Sequence, residues 1–463
     1  MAELVSDSPL KRLSEVRTPQ VEARLIGPLD LKPLIRRAGT GIFWNFLAAF
    51  LSQGAALVIN VLIANTLGRA SLGRYAMVQG TAMMVAVFAQ VAMGSTATRY
   101  VAEFQQTNKD RAGAVLGLCA TVSLVTGTLG GVVLLFASRP LAMIALKAPE
   151  LDTMLEISSV LMFFSTINGY QVGALAALQS FRDLALATFA SVVFQCALVV
   201  SLAHAYGIKG AVIGLTVSSF TRWLFHHIAL RSAAQKKGIT FQPLLALREV
   251  RILRQYAFPV ALTGYIAIPA SWLGSVCLAR TPAGFSELAA YAVGLNIKTA
   301  VLFVPLVINS VSLVLFNETV GSHGLKDSLK IFWVNVGIMV IATGAAACLC
   351  KAVLGSLLAL YGRQFHNAYP VVNLLLIASI FEAASYAGYV LVQSRAKMWL
   401  ALFAIGLPRD GVFVALAFLL ARTHGAVGLA VAYTTAWGLA AASTLVCAIW
   451  ILHESRVPRA IRR

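Results

Sequence analysis

The chain has 463 residues, of which 59% are hydrophobic and 12% are charged, and its mean hydropathy is +0.80. Soluble domains are roughly 45–50% apolar and about 25% charged, so this composition excludes a soluble fold. The formal net charge of +19 would indicate a nucleic-acid ligand in a soluble chain. No stretch of this sequence is long and polar enough to form a soluble binding domain, so we expect no nucleic-acid partner.

The apolar residues form long blocks, and each block has the length of a membrane-spanning helix. One span needs about 20 mostly apolar residues, and polar, Gly and Pro residues divide the sequence into twelve such blocks. The first block is too long for the hydrophobic core of a cleaved leader. The predicted spans cover residues 42–65, 75–97, 112–137, 154–178, 184–205, 210–228, 258–280, 288–315, 331–358, 369–392, 398–421 and 426–451. The sequence therefore predicts an all-α, polytopic membrane protein.

The Lys and Arg residues predict the orientation of these spans. With a cytoplasmic amino terminus, the inward segments hold 25 of them and the outward segments hold 9. Cytoplasmic loops are enriched in Lys and Arg, so we expect both termini in the cytoplasm. The remaining three cations, Arg222, Lys298 and Arg409, are assigned to predicted spans; Lys351, through which the ninth span runs, and Arg280, at the end of the seventh, are counted among the outward nine.

Short motifs recur between the two halves at a nearly constant spacing. Gly68 and Tyr75 match Gly284 and Tyr291 at an offset of 216 residues. Two further matches have offsets of 214 and 218: Gln179-Ser180 with Gln393-Ser394, and Gly207 and Gly210 with Gly425 and Gly428. A duplicated six-span unit predicts two lobes related by a pseudo-twofold axis along the membrane normal, with a central cavity between them.

This arrangement divides the chain into five predicted parts. Residues 1–39 form a basic, disordered tail, residues 40–228 form the first lobe, and residues 258–452 form the second. Residues 229–257 form a cytoplasmic linker in which Arg248, Arg251 and Arg254 recur among leucines, a pattern typical of an amphipathic helix at an anionic lipid surface. Residues 453–463 form a second basic tail.

Several motifs along the chain resemble those of one transporter family. They are Leu62 to Tyr75 (LIANTLGRASLGRY), Thr98 to Glu103, Gln179 to Arg182 and Tyr206 to Ala211. In their order and spacing they resemble the polysaccharide-transporter branch of the multidrug/oligosaccharidyl-lipid/polysaccharide exporter superfamily, the Wzx-type lipid-linked oligosaccharide flippases. The resemblance extends from Thr40 to Leu452. The hinge between the seventh and eighth spans, Pro282 to Leu288, is however less regular than the hinge between the first and second spans, which contains Gly68.

The resemblance implies a transporter and not an enzyme. Its substrate would be an undecaprenyl-diphosphate-linked oligosaccharide, moved from the inner to the outer leaflet of a bacterial plasma membrane by alternating access, in exopolysaccharide or O-antigen biosynthesis. The implied partners are membrane lipids and the polysaccharide polymerase and export machinery. No cofactor or metal is expected, but H+ or Na+ would serve as a coupling ion.

Charged side chains inside predicted spans are the strongest candidates for a site, because they are costly in hydrocarbon and usually face an interior cavity. We expect Lys298, with Asn296 beside it, to present a lumenal cation to the substrate, or alternatively to pair with Glu382 or Asp410. Arg409 is a second candidate for substrate binding. Because adjacent helical residues point about 100° apart, Arg409 and Asp410 are not expected to share one face.

The remaining candidates have two interpretations each. Glu382 and Asp410 are ion-coupling carboxylates or structural counter-ions. Arg222 binds substrate or anchors its helix at the interface. The amides of Gln53 and Asn60, with Asn45, lie near one face of the first span, where they bind sugar hydroxyls or join helices.

Two other functions remain open. One is a small-molecule drug/cation antiporter of the same superfamily, and the other is a membrane polysaccharide polymerase or ligase. The absence of a Walker motif argues against ATP-driven transport. Cys348 and Cys350 form a C-x-C sequence, which on a helix points the thiols in different directions and favours packing over metal binding.

Overall fold

The computed structural model describes residues 31–242, 245, 249–322, 325–394 and 398–454, and no strand occurs in these ranges. Its helices in chain order are α1 Leu31–Leu67, α2 Arg69–Gln90, α3 Met93–Thr107, α4 Lys109–Pro140, α5 Asp152–Ala177, α6 Phe181–Lys236, α7 Phe258–Gly264, α8 Ala267–Ala279, α9 Gly284–Ser322, α10 Leu325–Ala352, α11 Leu354–Leu360, α12 Tyr369–Ser394, α13 Met398–Leu400 and α14 Leu407–Glu454. Short π-helical turns lie between them at Leu141–Ala145, Leu253–Ala257 and Ala401–Gly406, and 3-10 turns at Pro149–Leu151 and Arg363–Ala368. The predicted all-α class is confirmed.

The chain separates into a small unit that ends at Phe43 and a large unit that begins at Trp44. The described part of the small unit, residues 31–43, is helical and belongs to α1. Helix α1 thus begins inside the tail that the sequence predicts to be disordered, and residues 1–30 lie outside the described part.

The large unit contains helices that account for the predicted spans. Within the described residues, eight helices are long and apolar enough to cross a membrane, or nine if α2 and α3, which are bent by 42°, form one span. Two of them, Phe181–Lys236 and Ala401–Ile451, are 56 and 51 residues long, which exceeds a single crossing. Each has a glycine with positive φ, at Gly207 and Gly425. With these two helices divided and α9 included, the helical segments follow the twelve predicted spans in order.

Glycines explain how α6 and α14 reverse direction. In α6, Gly210 lies against the backbone carbonyl of Leu202, so closely that a Cβ atom would have no space. In α14, Gly428 lies in the same way against Leu420. Each long helix is therefore two antiparallel helices joined by a tight turn, at equivalent positions of the two repeats.

The helices form two lobes around a shared core. We call helices α1 to α6 the N-lobe and helices α7 to α14 the C-lobe. The largest buried cluster crosses the boundary between the lobes, with Leu72 and Tyr75 from α2 and Leu288 and Tyr291 from α9. Gly73 of α2 lies directly on the backbone of Phe285, so the paired hinge motifs of the two repeats pack against each other.

Some helix boundaries differ from the predicted ones. The seventh span is broken at Tyr265 and Ile266 between α7 and α8, and the ninth ends at Ala352, immediately after Lys351. Helix α6 continues to Lys236, so the segment predicted as a linker from residue 229 begins as a helix. Residues 455–463 of the predicted basic tail lie outside the described part.

The end of the linker packs on the N-lobe. Ile252 and Ala257 are buried in a cluster with α3, α4 and α5, and Arg111 of α4 donates from Nε to Glu249 Oε1 at 2.6 Å. Arg251 and Arg254 are exposed, which fits an amphipathic segment. Arg248 lies outside the described residues, and contact with anionic lipid remains a prediction.

The glycine contacts predict a sharp difference between two substitutions. Gly210→Ala places a Cβ on the carbonyl of Leu202, and backbone cannot move aside as a flexible side chain does. We expect this variant to lower the thermal unfolding midpoint in detergent by several degrees. Gly344→Ala in α10 meets nothing within 4 Å and is the matched control, expected to be neutral or slightly stabilising because Ala favours helix. Equal midpoints for the two variants would contradict the packed hairpin.

Candidate functional site

A cavity with both polar and apolar lining residues lies between the two lobes. Its volume is about 380 Å³, and its polar lining comes from α1 and α2 on one side and from α8 and α9 on the other. The polar side chains that line it are Asn60, Gln79, Ser271, Trp272, Ser275, Tyr291 and Asn296. Two predicted site residues, Asn60 and Asn296, therefore face the same cavity from opposite lobes. Gln53, one predicted partner of Asn60, is partly exposed and is not among the lining residues, and the side chain of Asn45 lies outside the described part.

A second polar cavity opens within the N-lobe, and we call it the N-lobe pocket. Its volume is about 250 Å³. It is lined by Gln79, Met83, Gln90, Leu161, Phe164, Ser165, Asn168, Gly169, Gln195, Leu215, Ser218, Ser219 and Arg222. Gln79 and Met83 also line the cavity between the lobes, so the two spaces adjoin each other.

Arg222 is the cation of the N-lobe pocket. Its Nη2 donates to Gln195 Oε1 at 2.7 Å. No carboxylate of the described residues forms an ion pair with it; the pairs that occur there join other residues. Because α6 extends to Lys236, Arg222 lies about 20 Å before the end of its helix at 1.5 Å per residue. The helix thus continues beyond the predicted end of the sixth span at residue 228, and the interfacial-anchor interpretation of Arg222 stays a prediction.

A neutral polar network lies one turn beyond Arg222. His226 is 3% exposed; its Nδ1 is 2.6 Å from Asn168 Nδ2, and its Nε2 is 3.2 Å from Thr188 Oγ1. Since an amide nitrogen donates, the geometry assigns His226 as the tautomer that accepts at Nδ1 and donates at Nε2. Asn168 thus reaches both the pocket and this network without contributing a charge.

Lys298 is paired inside the C-lobe. Its Nζ donates to Glu382 Oε2 at 2.7 Å and to the hydroxyl of Tyr433 at 2.6 Å. Glu382 also accepts from Tyr386 and from Tyr433, each at 3.0 Å. Both side chains of the ion pair are less than a tenth exposed. The expectation that Lys298 is an unpaired lumenal cation is therefore wrong, and the alternative, a pair with Glu382, is the observed arrangement.

Arg409 and Asp410 pair with each other. Nε of Arg409 is 2.7 Å from Oδ1 of Asp410, and Nη2 is 2.9 Å from Oδ2. The expectation that these neighbours point apart is wrong, because helical geometry fixes only the Cα–Cβ directions and the long arginine stem folds back to the next residue. The guanidinium also lies over the ring of Trp437, 4.6 Å from its centroid.

Arg409 reaches a third cavity, of about 210 Å³, in the C-lobe. Its other polar and aromatic lining comes from Ser385, Tyr386, Tyr389 and Trp437. Lys298, Glu382 and Asp410 are not among its lining residues. Lys298 and Arg409 in the C-lobe are thus each matched by a carboxylate, whereas Arg222 in the N-lobe has an amide as its hydrogen-bond partner.

A polar junction joins the lobes near the hinge motifs, and we call it the hinge junction. Arg69 donates to the carbonyls of Ser286 at 2.7 Å and Gln364 at 2.9 Å, and its Nη2 is 3.4 Å from Glu287. Glu287 in turn accepts from the backbone N–H of Ala426 at 2.9 Å. These residues were not predicted as functional. The signal available in the sequence was the position of Arg69 directly after Gly68 of the repeated motif.

The described residues contain no group of three His, Cys, Asp or Glu side chains that could hold a metal ion. The six cysteines are free thiols, including Cys348 and Cys350.

The Lys298 and Glu382 pair predicts a non-additive double substitution. Lys298→Met leaves the carboxylate of Glu382 buried without its cation, and loss of one partner of a buried ion pair costs about 3–5 kcal/mol. We expect a large drop in the thermal unfolding midpoint for Lys298→Met alone, and a partial recovery when Glu382→Gln is added. The midpoints of the wild type, both single variants and the double variant measure the coupling. A double variant as unstable as the sum of the two single changes would contradict the pairing.

Comparison with known proteins adds sequence relatives and structural neighbours. The sequence model of the family described as "Polysaccharide biosynthesis protein" matches residues 38–316. The "EPS I polysaccharide export inner membrane protein EpsE" of Ralstonia nicotianae is 20% identical over 398 residues, covering 84% of this chain and 88% of the relative.

Solved structures with this fold are transporters of the MOP superfamily. An inward-facing multidrug resistance MATE family transporter superimposes with a TM-score of 0.75 at 14% identity, covering 88% of this chain and 96% of that one. An outward-facing structure described in the same terms gives 0.68 at 14% identity, covering 92% and 96%. At these identities the match establishes the fold, which is the predicted two-lobed arrangement.

Proposed function

Because the chain belongs to the polysaccharide biosynthesis protein family and is a polysaccharide transporter of the MOP superfamily, we propose that it is a lipid-linked oligosaccharide flippase. Its substrate is an undecaprenyl-diphosphate-linked repeat unit, moved from the inner to the outer leaflet of the plasma membrane for exopolysaccharide or O-antigen assembly. The family membership and the export relative support a multi-pass inner-membrane exporter. The lipid-linked substrate and the direction of movement are our proposal.

The observation that carries the proposal is the cavity between the lobes, to which both lobes contribute amide and hydroxyl groups. Hydrated sugars cannot cross hydrocarbon unaided, and amide and hydroxyl groups replace their water hydrogen bonds. Asn60 and Gln79 offer such groups from the N-lobe, and Asn296 and Ser271 offer them from the C-lobe. A sugar bound to both lobes has a different affinity when the lobes move apart, and a ligand shifts a conformational equilibrium only through such a difference.

The hinge junction supports alternating access. Arg69 joins α2 of the N-lobe to Ser286 and Gln364 of the C-lobe, and Asn65 donates to the carbonyl of Leu360 at 2.6 Å. The positive-inside rule predicts this end to face outward. Under that orientation the lobes are held together at the outer face. Opening to the outside then requires these cross-lobe bonds to break.

We retain H+ or Na+ as the proposed coupling ion. Glu382 and Asp410 are the candidate carboxylates, and each is engaged by a cation and further partners. To accept a proton or a sodium ion, Glu382 must release Lys298. Of the remaining predicted substrate residues, Arg409 borders the C-lobe cavity, and Gln53 stays a prediction.

The proposed partners follow from the substrate. Membrane lipid accommodates the polyprenyl tail, and a polysaccharide polymerase with its export machinery removes the flipped product, which gives the process its direction. The drug/cation antiporter is the rival function. The likeness of this chain to the solved MATE transporters is a likeness of fold.

The cavity predicts that amides on both lobes are needed for flipping. In proteoliposomes with a fluorescent polyprenyl-diphosphate-linked saccharide, transfer between leaflets is followed with an impermeant quencher. We expect Asn60→Ala combined with Asn296→Ala to slow transfer about 30-fold, since each lost hydrogen bond is worth about 1 kcal/mol and 1.4 kcal/mol is a factor of ten. Gln235→Ala, an exposed amide at the end of α6, is the matched control and should leave the rate unchanged.

Wild-type protein that transports cationic drugs but does not flip the labelled lipid would overturn the flippase proposal in favour of the antiporter. Unchanged flipping in the double variant would remove the central cavity from the proposed path.

The hinge junction predicts a change in access to the cavity. In a cysteine-free background, Ser271→Cys reports on the cavity between the lobes. We expect Arg69→Ala to increase the rate at which an impermeant maleimide added outside intact cells labels this cysteine, because fewer bonds then close the outer end. Arg139→Ala removes an exposed arginine of α4 and serves as the control. Faster labelling from the cytoplasmic side would reverse the assigned orientation of the junction.

A further inference from the structure

We propose that the N-lobe pocket is the binding site for the diphosphate of a polyprenyl-linked substrate, with Arg222 as its main anion ligand. This inference rests on the proposed flippase function and adds where the charged part of the substrate is held. The saccharide then occupies the adjoining cavity between the lobes.

Arg222 differs from Lys298 and Arg409 in how its positive charge is compensated. A cation in a low-dielectric interior requires compensation by an anion or by dipoles. Lys298 and Arg409 in the C-lobe are compensated by Glu382 and Asp410 at hydrogen-bonding distance. Arg222 has no carboxylate partner among the described residues. The N-lobe pocket therefore has uncompensated positive charge, which an anionic ligand would neutralise.

The hydrogen-bonding capacity of the Arg222 guanidinium also favours an anionic ligand. A guanidinium carries five N–H donors in a planar fork that matches two phosphate oxygens. One of them is directed to Gln195, and the interactions of the described residues assign no other acceptor to the group. Gln195 thus orients the guanidinium and leaves donors for a ligand.

The lining of the N-lobe pocket offers further donors. Gln79 and Gln90 supply amide N–H groups, and Ser165, Ser218 and Ser219 supply hydroxyls, whereas the amide nitrogen of Asn168 already contacts Gln171 and His226. The residues that line the pocket include no Asp or Glu, so nothing in its wall repels a phosphate. The serine hydroxyls of Ser218 and Ser219 donate to carbonyls within their own helix, which leaves the amides as the better second ligands.

The N-lobe pocket adjoins the cavity between the lobes. Gln79 and Met83 line both the N-lobe pocket and the central cavity. A diphosphate at Arg222 therefore has its attached saccharide beside a space lined by Asn60 and Asn296. The same substrate would contact the N-lobe through its phosphates and both lobes through its sugars.

The experiment measures binding to the full chain in nanodiscs. The probes are undecaprenyl diphosphate, undecaprenol and inorganic pyrophosphate, and native mass spectrometry reports the fraction of protein bound. Arg222→Gln removes the charge but keeps a polar side chain, and Arg222→Lys keeps the charge without the fork. Arg231→Gln changes an exposed arginine on the same helix and is the matched control. Thermal unfolding midpoints identify any variant that fails to fold.

We expect Arg222→Gln to weaken binding of undecaprenyl diphosphate about tenfold or more, because charged hydrogen bonds are the stronger ones. Arg222→Lys should retain part of the affinity, and undecaprenol binding should not change in any variant. If Arg222→Gln misfolds, Gln195→Ala replaces it, with a smaller loss expected because the guanidinium is no longer oriented.

Equal affinity of wild type and folded Arg222→Gln for the diphosphate lipid would overturn the inference while leaving the flippase proposal intact. Arg222-dependent binding of pyrophosphate without binding of the lipid would also overturn it, by showing a site for free anions. Failure of the wild type to bind or flip any polyprenyl diphosphate would overturn the proposed function itself.

Discussion

The cost of placing charge in a medium of low polarity constrains every charged residue described inside this helical bundle. In the C-lobe that cost is met internally: Lys298 and Glu382 form a pair that two tyrosines complete, and Arg409 folds onto Asp410. In the N-lobe, Arg222 is oriented by a neutral amide instead. The two lobes have the same helical plan but compensate a buried cation differently: Lys298 and Arg409 are paired with carboxylates, whereas the hydrogen-bond partner of Arg222 is an amide.

The difference between the lobes occurs at matching positions of the two repeats. Asn168 and Glu382 occupy matching places at the repeat offset of 214 residues. Asn168 joins a neutral network with His226, whereas Glu382 is at the centre of an ionic one. At this position one repeat therefore has neutral hydrogen bonds and the other has opposite charges.

The order of the helices could be predicted from the sequence, because the length of each apolar segment indicates whether it can cross a membrane. Gly207 and Gly425, recognised as part of the repeat, mark the two hairpins found in α6 and α14. Side-chain partners were less predictable. The pairing of Arg409 with Asp410 depends on how a long side chain folds, and backbone direction does not determine it. The junction around Arg69 depends on which helices meet across the lobe boundary, information that lies in the tertiary packing and not in any one motif.

The end of the linker is packed against the N-lobe. Ile252 and Ala257 are buried with the N-lobe, the guanidinium of Arg99 lies over the ring of Tyr256, and the next helix begins at Phe258. The helix is interrupted at Tyr265 and Ile266, between α7 and α8. The C-lobe therefore continues from a segment that is already fixed to the N-lobe, and the first interruption after that segment lies inside the seventh span.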